Sequence, residues 1–357
     1  MIQTKALILS GGRGTRLRPI THTSAKQLVP VANKPILFYG IEAIRDAGIT
    51  DIGIVVGDTA SEIQAAVGDG SRFGVRVTYI RQEAPLGLAH AVGISRDFID
   101  GDRFVVYLGD NLIIDGIRSF VAQFEAMKPN CQILLAHVPN PQSFGVAELD
   151  GEKVIRLVEK PKQPKTDLAL VGVYMFDHNI FEACDSIKPS WRGELEITDA
   201  IQYLIEKGLD VRSQIISGWW KDTGKLEDIL EANRMLLERI EKSIAGDVDE
   251  KSRIEGRVVV GEGTQVRNSI LRGPLIIGKD SKIVDSYIGP FTSISDSCEI
   301  RGSEIEHSII LENSRITLVD GRIDGSLVGK NVVIERHGNL PRVYRFMVGD
   351  SSSIELM

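Results

Sequence analysis

The feature that most constrains the fold is a change of periodicity near Asp247. Beyond it, apolar residues recur every five or six positions, and glycine or another small residue often follows at a fixed offset. The recurring apolar residues are Ile254, Val260, Val266, Leu271, Ile277, Ile283, Ile288, Ile294, Ile300, Ile305, Ile310 and Ile316. This hexapeptide repeat predicts a left-handed parallel β-helix, because an antiparallel sandwich would show a period of two instead. With about 18 residues per coil, the tail should form roughly four or five coils.

The residues before about Gly218 follow another pattern, in which short apolar strands alternate with helical segments. The predicted strands are Ala6–Leu9, Ile52–Val56, Arg76–Ile80, Phe104–Leu108, Gln132–His137 and Leu170–Phe176. A helix is expected to begin near Pro35, and Gly48 fits its C-terminal end. This alternation is typical of an α/β protein with a Rossmann-like, mainly parallel (mixed) sheet that helices cover.

The two patterns predict three segments. Residues 1–223 are expected to form the α/β domain, and residues 247–357 the β-helix domain. Between them, apolar residues such as Leu226, Ile240 and Ile244 recur at helical spacing. We therefore expect one connecting helix over residues 224–246.

The composition is that of an ordinary globular protein. Of 357 residues, 43% are hydrophobic and 25% charged, and no apolar run reaches membrane-spanning length. The formal charge of −7 argues against binding to nucleic acid or to an anionic membrane. Cys131, Cys184 and Cys298 lie far apart, and the N-terminus lacks a signal-peptide core. These features predict a cytoplasmic protein that acts on neither nucleic acid nor membranes.

A glycine-rich turn, SGGRGTR, follows the first predicted strand. Gly11, Gly12 and Gly14 allow the backbone to approach a ligand closely. If Thr15 opens a helix, the preceding N–H groups can bind phosphate oxygens, and Arg16 adds a fixed positive charge. The stretch lacks the third glycine of the dinucleotide fingerprint and the Gly-Lys-Ser/Thr ending of a P-loop. A phosphate-binding turn of another kind is therefore expected.

Two further groups are predicted to face the same ligand. Asp110, in LGDN, follows the Phe104–Leu108 strand, and the carboxyl ends of parallel strands meet at one edge of a sheet. Lys26, in SAKQLVP, lies a short loop beyond Arg16, and two converging cations favour a polyphosphate. No Ser/His/Asp or Cys/His grouping indicates a covalent mechanism.

Seven stretches occur in the order found in the sugar-nucleotide pyrophosphorylases: LSGGRGTRLRPIT, SAKQLVP, QEAPLGLAHA, LGDN, VEKP, RGELEITD and WWKDTG. Over roughly residues 4–235 the chain resembles this nucleotidyltransferase family, and above all its glucose-1-phosphate thymidylyltransferases. The hexapeptide tail looks like that of the longer members of the superfamily. The resemblance implies that dTTP and α-D-glucose 1-phosphate react to dTDP-glucose and pyrophosphate in a single in-line displacement that depends on Mg²⁺.

The resemblance also implies roles for individual residues. Asp110 and Asp222 correspond to the two Mg²⁺ carboxylates, and with Arg16 and Lys26 they form the implied catalytic set. The implied nucleotide-binding residues are Leu9, Gly11, Gly12, Gly14, Thr15, Arg16, Gln27, Gln82 and Gly87. The implied sugar-phosphate-binding residues are Gly145, Glu159, Lys160, Val171 and Arg192.

Base recognition is assigned to Gln27 and Gln82, because an amide offers a donor and an acceptor to the O4/N3 edge of thymine. Uracil shows the same edge, so UTP stays an alternative to dTTP, as does another hexose 1-phosphate. Gly87 is expected to leave room near the base. Leu86 stands where the shorter members of the family often have aspartate, which leaves the local contact open.

Two other functions are considered. Hexapeptide coils also support acyltransferases, so a bifunctional protein with His307 or His337 as its base is one alternative. An inactive sugar-nucleotide sensor is the other, and the presence of all four implied catalytic residues argues against it. The flat apolar faces and open coil ends of the tail predict a homo-oligomer.

Overall fold

The computed structural model describes residues 4–12, 14–22, 24–151, 153–336 and 346–355. The chain divides into two compact units. The first consists of Met1–Arg13, Ser24–Leu28 and Ile36–Asp222, and the second of Gly14–Thr23, Val29–Pro35 and Thr223–Met357. Gly14–Thr23 and Val29–Pro35, which we expected in the α/β domain, thus belong to the unit that contains the tail.

The first unit is built on a nine-stranded mixed sheet. The strands up to Asp222 are β1 (Lys5–Ser10), β2 (Pro30–Val31), β3 (Lys34–Pro35), β4 (Asp51–Val56), β5 (Arg76–Arg81), β6 (Phe104–Leu108), β7 (Asn111–Ile113), β8 (Cys131–His137), β9 (Gly145–Asp150), β10 (Lys153–Glu159), β11 (Leu168–Phe176), β12 (Val211–Ile215) and β13 (Trp220–Asp222). Their order in the sheet is β5-β4-β1-β6-β11-β8-β12-β10-β9, and β7 pairs with β13 and β2 with β3 outside it.

The sheet is parallel in one half and mixed in the other. Strands β5, β4, β1 and β6 run parallel, whereas β11 is antiparallel to both β6 and β8. The predicted Rossmann-like sheet is therefore confirmed in its mixed form. Strands β9, β10 and β12 were not predicted, because their alternating polar residues leave only short apolar stretches.

Helices cover both faces of this sheet. They are α1 (Ile36–Asp46), α2 (Ala60–Val67), α3 (Leu88–Gly93), α4 (Arg96–Ile99), α5 (Arg118–Met127), α6 (Asn179–Ser186) and α7 (Ile197–Glu206), followed in the second unit by α8 (Leu226–Leu237). Along β1, Leu7 and Leu9 join one buried cluster, and Ala6 and Ile8 join the other. Successive strand residues point to opposite faces, so this alternation shows a sheet buried on both sides.

The tail forms three parallel sheets, which confirms the predicted left-handed β-helix. Its strands are β14 (Ser243–Ile244), β15 (Asp247–Val248), β16 (Arg253–Glu255), β17 (Val258–Val260), β18 (Gln265–Arg267), β19 (Ile270–Arg272), β20 (Leu275–Ile277), β21 (Lys282–Val284), β22 (Tyr287–Ile288), β23 (Thr292–Ile294), β24 (Glu299–Arg301), β25 (Glu304–Ile305), β26 (Ile309–Ile310), β27 (Arg315–Thr317), β28 (Arg322–Ile323), β29 (Leu327–Val328) and β30 (Val333–Glu335). The sheets have the orders β14-β17-β20-β23-β26-β29, β15-β18-β21-β24-β27-β30 and β16-β19-β22-β25-β28.

The register explains the repeat. Val260 pairs with Ile277, Ile277 with Ile294, and Ile294 with Ile310, so each apolar position stacks on its equivalent in the next coil. Of the twelve recurring residues, all but Ile254 are buried members of the tail's core cluster. A narrow core of stacked branched side chains is what a solenoid needs.

The connecting helix is shorter than predicted. Helix α8 ends at Leu237, and Ile244 already lies in β14, where it pairs with Val260 of the next coil. Ile240 and Ile244 fit a helical spacing by chance, but the ladder with β17 satisfies the backbone groups of this segment. None of the described helices combines the length and apolar character that a membrane-spanning segment needs.

Candidate active site

The site is built at the ends of two neighbouring strands. Leu9 in β1 pairs with Leu108 in β6, and the Gly109 N–H donates to the Leu9 carbonyl at 3.0 Å. A Cβ on Gly109 would collide with the Ser10 hydroxyl and come within 3.2 Å of the Leu9 carbonyl. Glycine at position 109 therefore lets the chain turn tightly against β1, which brings Asp110 beside the start of the glycine-rich turn.

Lys26 lies between two carboxylates. Its Nζ donates to Asp110 Oδ2 at 2.5 Å and is 3.6 Å from Asp222 Oδ1. The Lys26 side chain is 7% exposed, whereas those of Asp110 and Asp222 are 25% and 31% exposed. The pairing of β7 with β13 places Asp222 opposite Asn111 and thus explains why residues so distant in sequence meet.

The charges of this cluster set its protonation. Burial raises the pKa of the Asp110 carboxyl, but the Lys26 ammonium and hydrogen bonds from Lys26 and Asn111 outweigh burial, so the pKa lies below its usual range. Asp110 is therefore ionised at neutral pH. Two carboxylates that offer only oxygen, with room left for phosphate and water, fit a Mg²⁺-type divalent cation. Asp110 and Asp222 are thus the residues that could hold a metal.

Asn111 and Trp220 support the carboxylates, and sequence reasoning missed both roles. Asn111 is buried; its Nδ2 donates to Asp110 Oδ1 at 3.0 Å, and its Oδ1 accepts from Trp220 Nε1 at 2.6 Å. The Trp220 ring packs edge-on against Phe144 at 5.7 Å. Its indole N–H also orients the side chain that holds Asp110. The position of Asn111 directly after Asp110 in LGDN is the sequence feature that could have indicated this supporting role.

Gln27 has a buried amide whose oxygen has no hydrogen-bond partner within the described part of the chain. Its side chain is 2% exposed, and no donor among the described residues reaches Oε1. Its Nε2 lies 3.8 Å from the position that a Cβ on Gly12 would take. A buried acceptor without a partner costs stability, so Gln27 is a good candidate for contact with a ligand.

Gln82 also lies beside the glycine-rich turn. Its Nε2 donates to the Gly87 carbonyl at 3.2 Å and lies 3.0 Å from His90 Nδ1. Its Oε1 is 3.1 Å from the position of a Cβ on Gly11. The amide nitrogen is thus engaged within the protein, and the oxygen is the atom that faces the turn.

Gly87 also meets a structural requirement of its own. Its φ is +106°, and a Cβ there would lie 2.6 Å from the Leu195 backbone nitrogen. The direction in which a side chain at position 87 would point is therefore filled by Leu195. Leu86, beside it, is 44% exposed. Glycine is required here for backbone packing and for its left-handed conformation.

A helix does begin at Thr15, directly after the glycine-rich turn, but it is not an α-helix. A 3₁₀ helix covers only Thr15–Leu17, and Arg18 is already extended. The residue before Pro19 is disfavoured in the helical region, which explains the early end. Gly14 precedes the helix with φ +61°, a conformation that suits glycine. Thr15 and Arg16 are exposed.

Arg16 lies against Gly224 within the second unit. A Cβ on Gly224 would come within 3.1 Å of Arg16 Nη2 and 3.2 Å of Nη1. Gly224 follows Asp222 by two residues in WKDTG. Glycine at position 224 therefore leaves free the space that the Arg16 guanidinium occupies.

Gly224→Ala is expected to displace the Arg16 guanidinium and lower turnover by on the order of tenfold, because small misplacements of a phosphate-binding group are costly. Steady-state kinetics would measure the loss. Gly349→Ala is the control, since a Cβ at Gly349 has no atom within 4 Å. Equal kinetics for the two variants would contradict a role of Arg16 that depends on its position.

A second cluster surrounds Glu159, at the end of β10. Lys160 Nζ and Arg192 Nη1 each lie 3.6 Å from Glu159 Oε1, and the Thr198 hydroxyl donates to Glu159 Oε2 at 3.1 Å. A Cβ on Gly145 would come within 3.3 Å of Glu159 Oε2. The structure thus brings together four predicted sugar-phosphate residues and adds Thr198, which sequence reasoning missed. Val171, the fifth, is fully buried in β11.

Glu196 is a further residue that was missed. It is buried and accepts from the Ser190 hydroxyl at 2.8 Å, with Arg192 Nη1 at 3.4 Å. Burial, and then the charge of Glu196, raises the pKa of Glu159 above its usual range despite the nearby cations. Glu196 therefore contacts Arg192, and its charge adds to the effect of burial on the pKa of Glu159. Its place in RGELEITD was the only signal.

The acyltransferase alternative gains no support from His307. Its Nδ1 lies 3.1 Å from Asp324 Oδ1, and its ring stacks on Phe291 at 5.2 Å. Glu306, His307 and Asp324 lie close enough to share a cation, but they are at least partly exposed and nothing else indicates a ligand. His337 lies outside the described residues.

A mixed α/β sheet with a glycine-rich turn, paired aspartates and a buried lysine at one edge is typical of enzymes that transfer nucleotidyl groups. The chain belongs to the nucleotidyl transferase family, whose model matches residues 5–239. It is therefore an enzyme of the nucleotidyltransferase class, as the sequence predicted.

Similar proteins extend over the whole chain. It is 58% identical to a glucose-1-phosphate thymidylyltransferase of Streptomyces antibioticus and 57% identical to one of Streptomyces griseus, with 99% of both chains covered in each case. A crystal structure of a candidate glucose-1-phosphate thymidylyltransferase from Bacillus anthracis is 38% identical, with a TM-score of 0.62. That likeness covers 67% of this chain and 97% of the other.

Proposed function

We propose that the protein is a glucose-1-phosphate thymidylyltransferase, which converts dTTP and α-D-glucose 1-phosphate to dTDP-glucose and pyrophosphate. The observation that carries the proposal is the convergence of Lys26 on Asp110 and Asp222 at the glycine-rich edge of the sheet. It occurs in a chain that is 58% identical over its length to a relative of that name.

The reaction is a displacement at the α-phosphorus of dTTP by a phosphate oxygen of the sugar phosphate. It needs positioning and neutralisation of charge more than a protein nucleophile. Lys26 neutralises the attacking phosphate and the α-phosphate. Arg16 holds the β- and γ-phosphates and stabilises the charge that develops on pyrophosphate as it leaves. The backbone at Gly11 and Gly12 supports the nucleotide.

Nucleotidyl transferases generally depend on a divalent cation, and Mg²⁺ is the cation proposed here. Asp110 and Asp222 hold it, because their oxygens leave most of its coordination sphere to phosphates and water. When bound, it neutralises charge on the α-phosphate. Asn111 contributes by keeping Asp110 turned toward this position.

Pyrimidine recognition rests on the two glutamines. Gln82 Oε1 is left to accept the thymine N3–H because its Nε2 is engaged by Gly87 and His90. Gln27 is the second amide: its Nε2 donates to thymine O4, the acceptor next to N3 on the base edge. Uracil shares these groups, so UTP is the alternative nucleotide.

Gln27→Glu is expected to lower kcat/KM for dTTP by roughly 100-fold or more, because a carboxylate cannot donate to O4 and would be buried without a partner. Rates with dTTP and UTP would measure it. Gln123→Glu is the matched control: its Oε1 is also buried, with no partner among the residues that the structure describes. Gln123 adjoins Phe124, whose carbonyl accepts from Arg103 just before β6. If Gln27→Glu keeps the wild-type rate with dTTP, the assignment of Gln27 to base recognition is wrong.

The sugar phosphate binds at the Glu159 cluster. Glu159 accepts hydrogen bonds from glucose hydroxyls, and Lys160 and Arg192 bind the phosphate. Gly145 and Val171 supply backbone near the ring. The raised pKa of Glu159 and its contact with the Thr198 hydroxyl support a polar pocket of this kind.

The test of this function is a pyrophosphate-release assay that crosses four nucleoside triphosphates with several hexose 1-phosphates, with and without Mg²⁺. We expect the highest rate for dTTP with glucose 1-phosphate, and none without the metal. A preference for UTP or for another hexose would keep the reaction and change the substrate. No release with any pair would overturn the proposal.

The proposal also includes a homo-oligomer formed through the β-helix and a cytoplasmic location. Cys131, Cys184 and Cys298 are all free and buried, which suits a reducing compartment. Light scattering on the full-length chain would measure the assembly, and a mass equal to one chain would exclude it.

A further inference from the structure

Asn233, in α8, joins three segments of the second unit. Its side chain is fully buried. Its Oδ1 accepts from the Ala32 backbone N–H at 2.8 Å and from the Ser293 hydroxyl at 2.6 Å, and its Nδ2 donates to the Phe291 carbonyl at 3.0 Å. Asparagine is a poor residue for a helix interior, so these hydrogen bonds rather than helix propensity explain its position.

The β2–β3 hairpin, Pro30–Pro35, is held at a second point. Its turn residues Ala32 and Asn33 have φ +46° and +59°, as in the tight turns that connect two-residue hairpins. Asn33 Nδ2 donates to the Ile294 carbonyl at 2.7 Å. Ser293 and Ile294 both belong to β23, so one coil of the β-helix holds the turn directly and also through Asn233.

This hairpin directly follows the residues assigned to the nucleotide. Lys26 and Gln27 lie in the 3₁₀ helix Lys26–Leu28, and Val29 leads from it into β2. Val29 and Val31 are buried, and proline at position 30 fixes its own φ. The connection between Gln27 and the turn is therefore short, and a displacement of the turn at Ala32 would be expected to reach Gln27 through it.

We propose that Asn233 is a positioning residue: it locks the hairpin to the β-helix and thereby fixes the lysine and the glutamine that bind the nucleotide. The inference rests on the proposed function, because it assigns the β-helix a part in nucleotide binding. The tail then serves the reaction itself, whatever its part in assembly.

The first test is Asn233→Ala in the full-length chain. The variant removes the hydrogen bonds to the hairpin and to the tail at once. We expect kcat/KM for dTTP to fall on the order of 10- to 100-fold, as for other misplacements near a reacting centre. The KM for dTTP should rise more than that for glucose 1-phosphate, because the affected residues bind the nucleotide. Hydrogen exchange of residues 29–35 should become faster.

Ser286→Ala is the matched control. Ser286 is a buried serine of the same β-helix; its hydroxyl donates to the Val284 carbonyl at 2.7 Å and accepts from the Ser303 N–H at 3.3 Å. It makes no hydrogen bond to the hairpin or to α8 among the described residues. We expect a lower melting temperature with unchanged KM for dTTP and unchanged exchange over residues 29–35.

Asn33→Gly provides an independent variant. Glycine keeps the left-handed turn and removes the bonds of the Asn33 side chain, which donates to the Ile294 carbonyl and accepts from the Ser295 hydroxyl at 3.5 Å. If both asparagines act through the hairpin, the effects of the double variant on kcat/KM should be less than additive in free energy, as for residues of one network. This variant carries the test if Asn233→Ala does not fold.

Each outcome decides the proposal. Unchanged kinetics for dTTP in the folded asparagine variants, or an equal loss in Ser286→Ala, would overturn it. A wild-type chain that releases no pyrophosphate would overturn the proposed function instead. Even then, unchanged exchange over residues 29–35 in Asn233→Ala would overturn the positioning role, and faster exchange would support it.

Discussion

Replacing Asp110 by asparagine is expected to lower kcat about a thousandfold while the chain stays folded. Metal binding at such a site supplies several kcal/mol of transition-state stabilisation, and each 1.36 kcal/mol is about tenfold in rate. Asparagine keeps the shape of the side chain and leaves Asp222 beside Lys26, which limits the structural loss. Pyrophosphate release and titration with Mn²⁺ would measure the two effects.

Asp177→Asn is the control for this variant. Asp177 is buried and accepts from Asn130 Nδ2 at 2.7 Å and from the Asn179 N–H at 3.0 Å. It follows Phe176, which pairs with Phe104 at the start of β6, so it lies at the strand end opposite Asp110. We expect lower stability and unchanged kcat. A full rate in Asp110→Asn would contradict the metal assignment.

Arg16→Ala is expected to lower kcat by about 10²- to 10³-fold, with a small change in the KM for glucose 1-phosphate. Removing one preorganised donor to a developing charge has effects of this size. The guanidinium is assigned to the triphosphate, which explains why the sugar-phosphate affinity should be spared. Initial rates at varied concentrations of each substrate would separate kcat from the two KM values.

Arg18→Ala is the matched control, because Arg18 is exposed in the same loop and carries the same charge. If the loop acts only through its net charge, the two variants should lose the same activity. Raised ionic strength, which screens exposed charges, should then lower the wild-type rate to a similar extent as either substitution. We expect Arg18→Ala to behave like the wild type. Equal losses would show that the position of Arg16 is not what matters.

Most of the fold could be predicted from the periodicity of apolar residues in the sequence. The stacked positions of the tail, such as Ile277 and Ile294, keep one spacing because each coil repeats the same contacts. The first strands of the sheet were found because they are buried on both faces and form continuous apolar runs. Strand β10 was missed because exposed residues such as Arg156 interrupt its apolar pattern.

Residues of the site could be predicted where they lie in a local sequence motif. Lys26, Asp110 and Asp222 were expected together, and the geometry brings them within hydrogen-bonding or ion-pair distance. The contacts between Asn111 and Trp220 depend on the pairing of β7 with β13, which no local pattern indicates. Sequence spacing likewise could not show that the spaces beside Gly87 and Gly145 are filled by neighbouring elements.

The division of the stretch from Gly11 to Pro35 between two units could not be predicted at all. Gly14–Thr23 and Val29–Pro35 belong to the unit that contains the β-helix, although both lie within the N-terminal motif. The contacts responsible join residues far apart in sequence, such as Asn33 with Ile294 and Ala32 with Asn233. Such contacts depend on tertiary packing, which hydrophobic periodicity does not predict.

The proposed reaction is a direct attack of one phosphate on another, in which the chain's own residues act only by position and charge. The stereochemical course at the α-phosphorus tests this most directly, using dTTP made chiral there by one sulfur atom. A single in-line displacement by glucose 1-phosphate predicts inversion in the dTDP-glucose analogue. Retention would require two displacements and a covalent intermediate on the protein, and it would contradict the account.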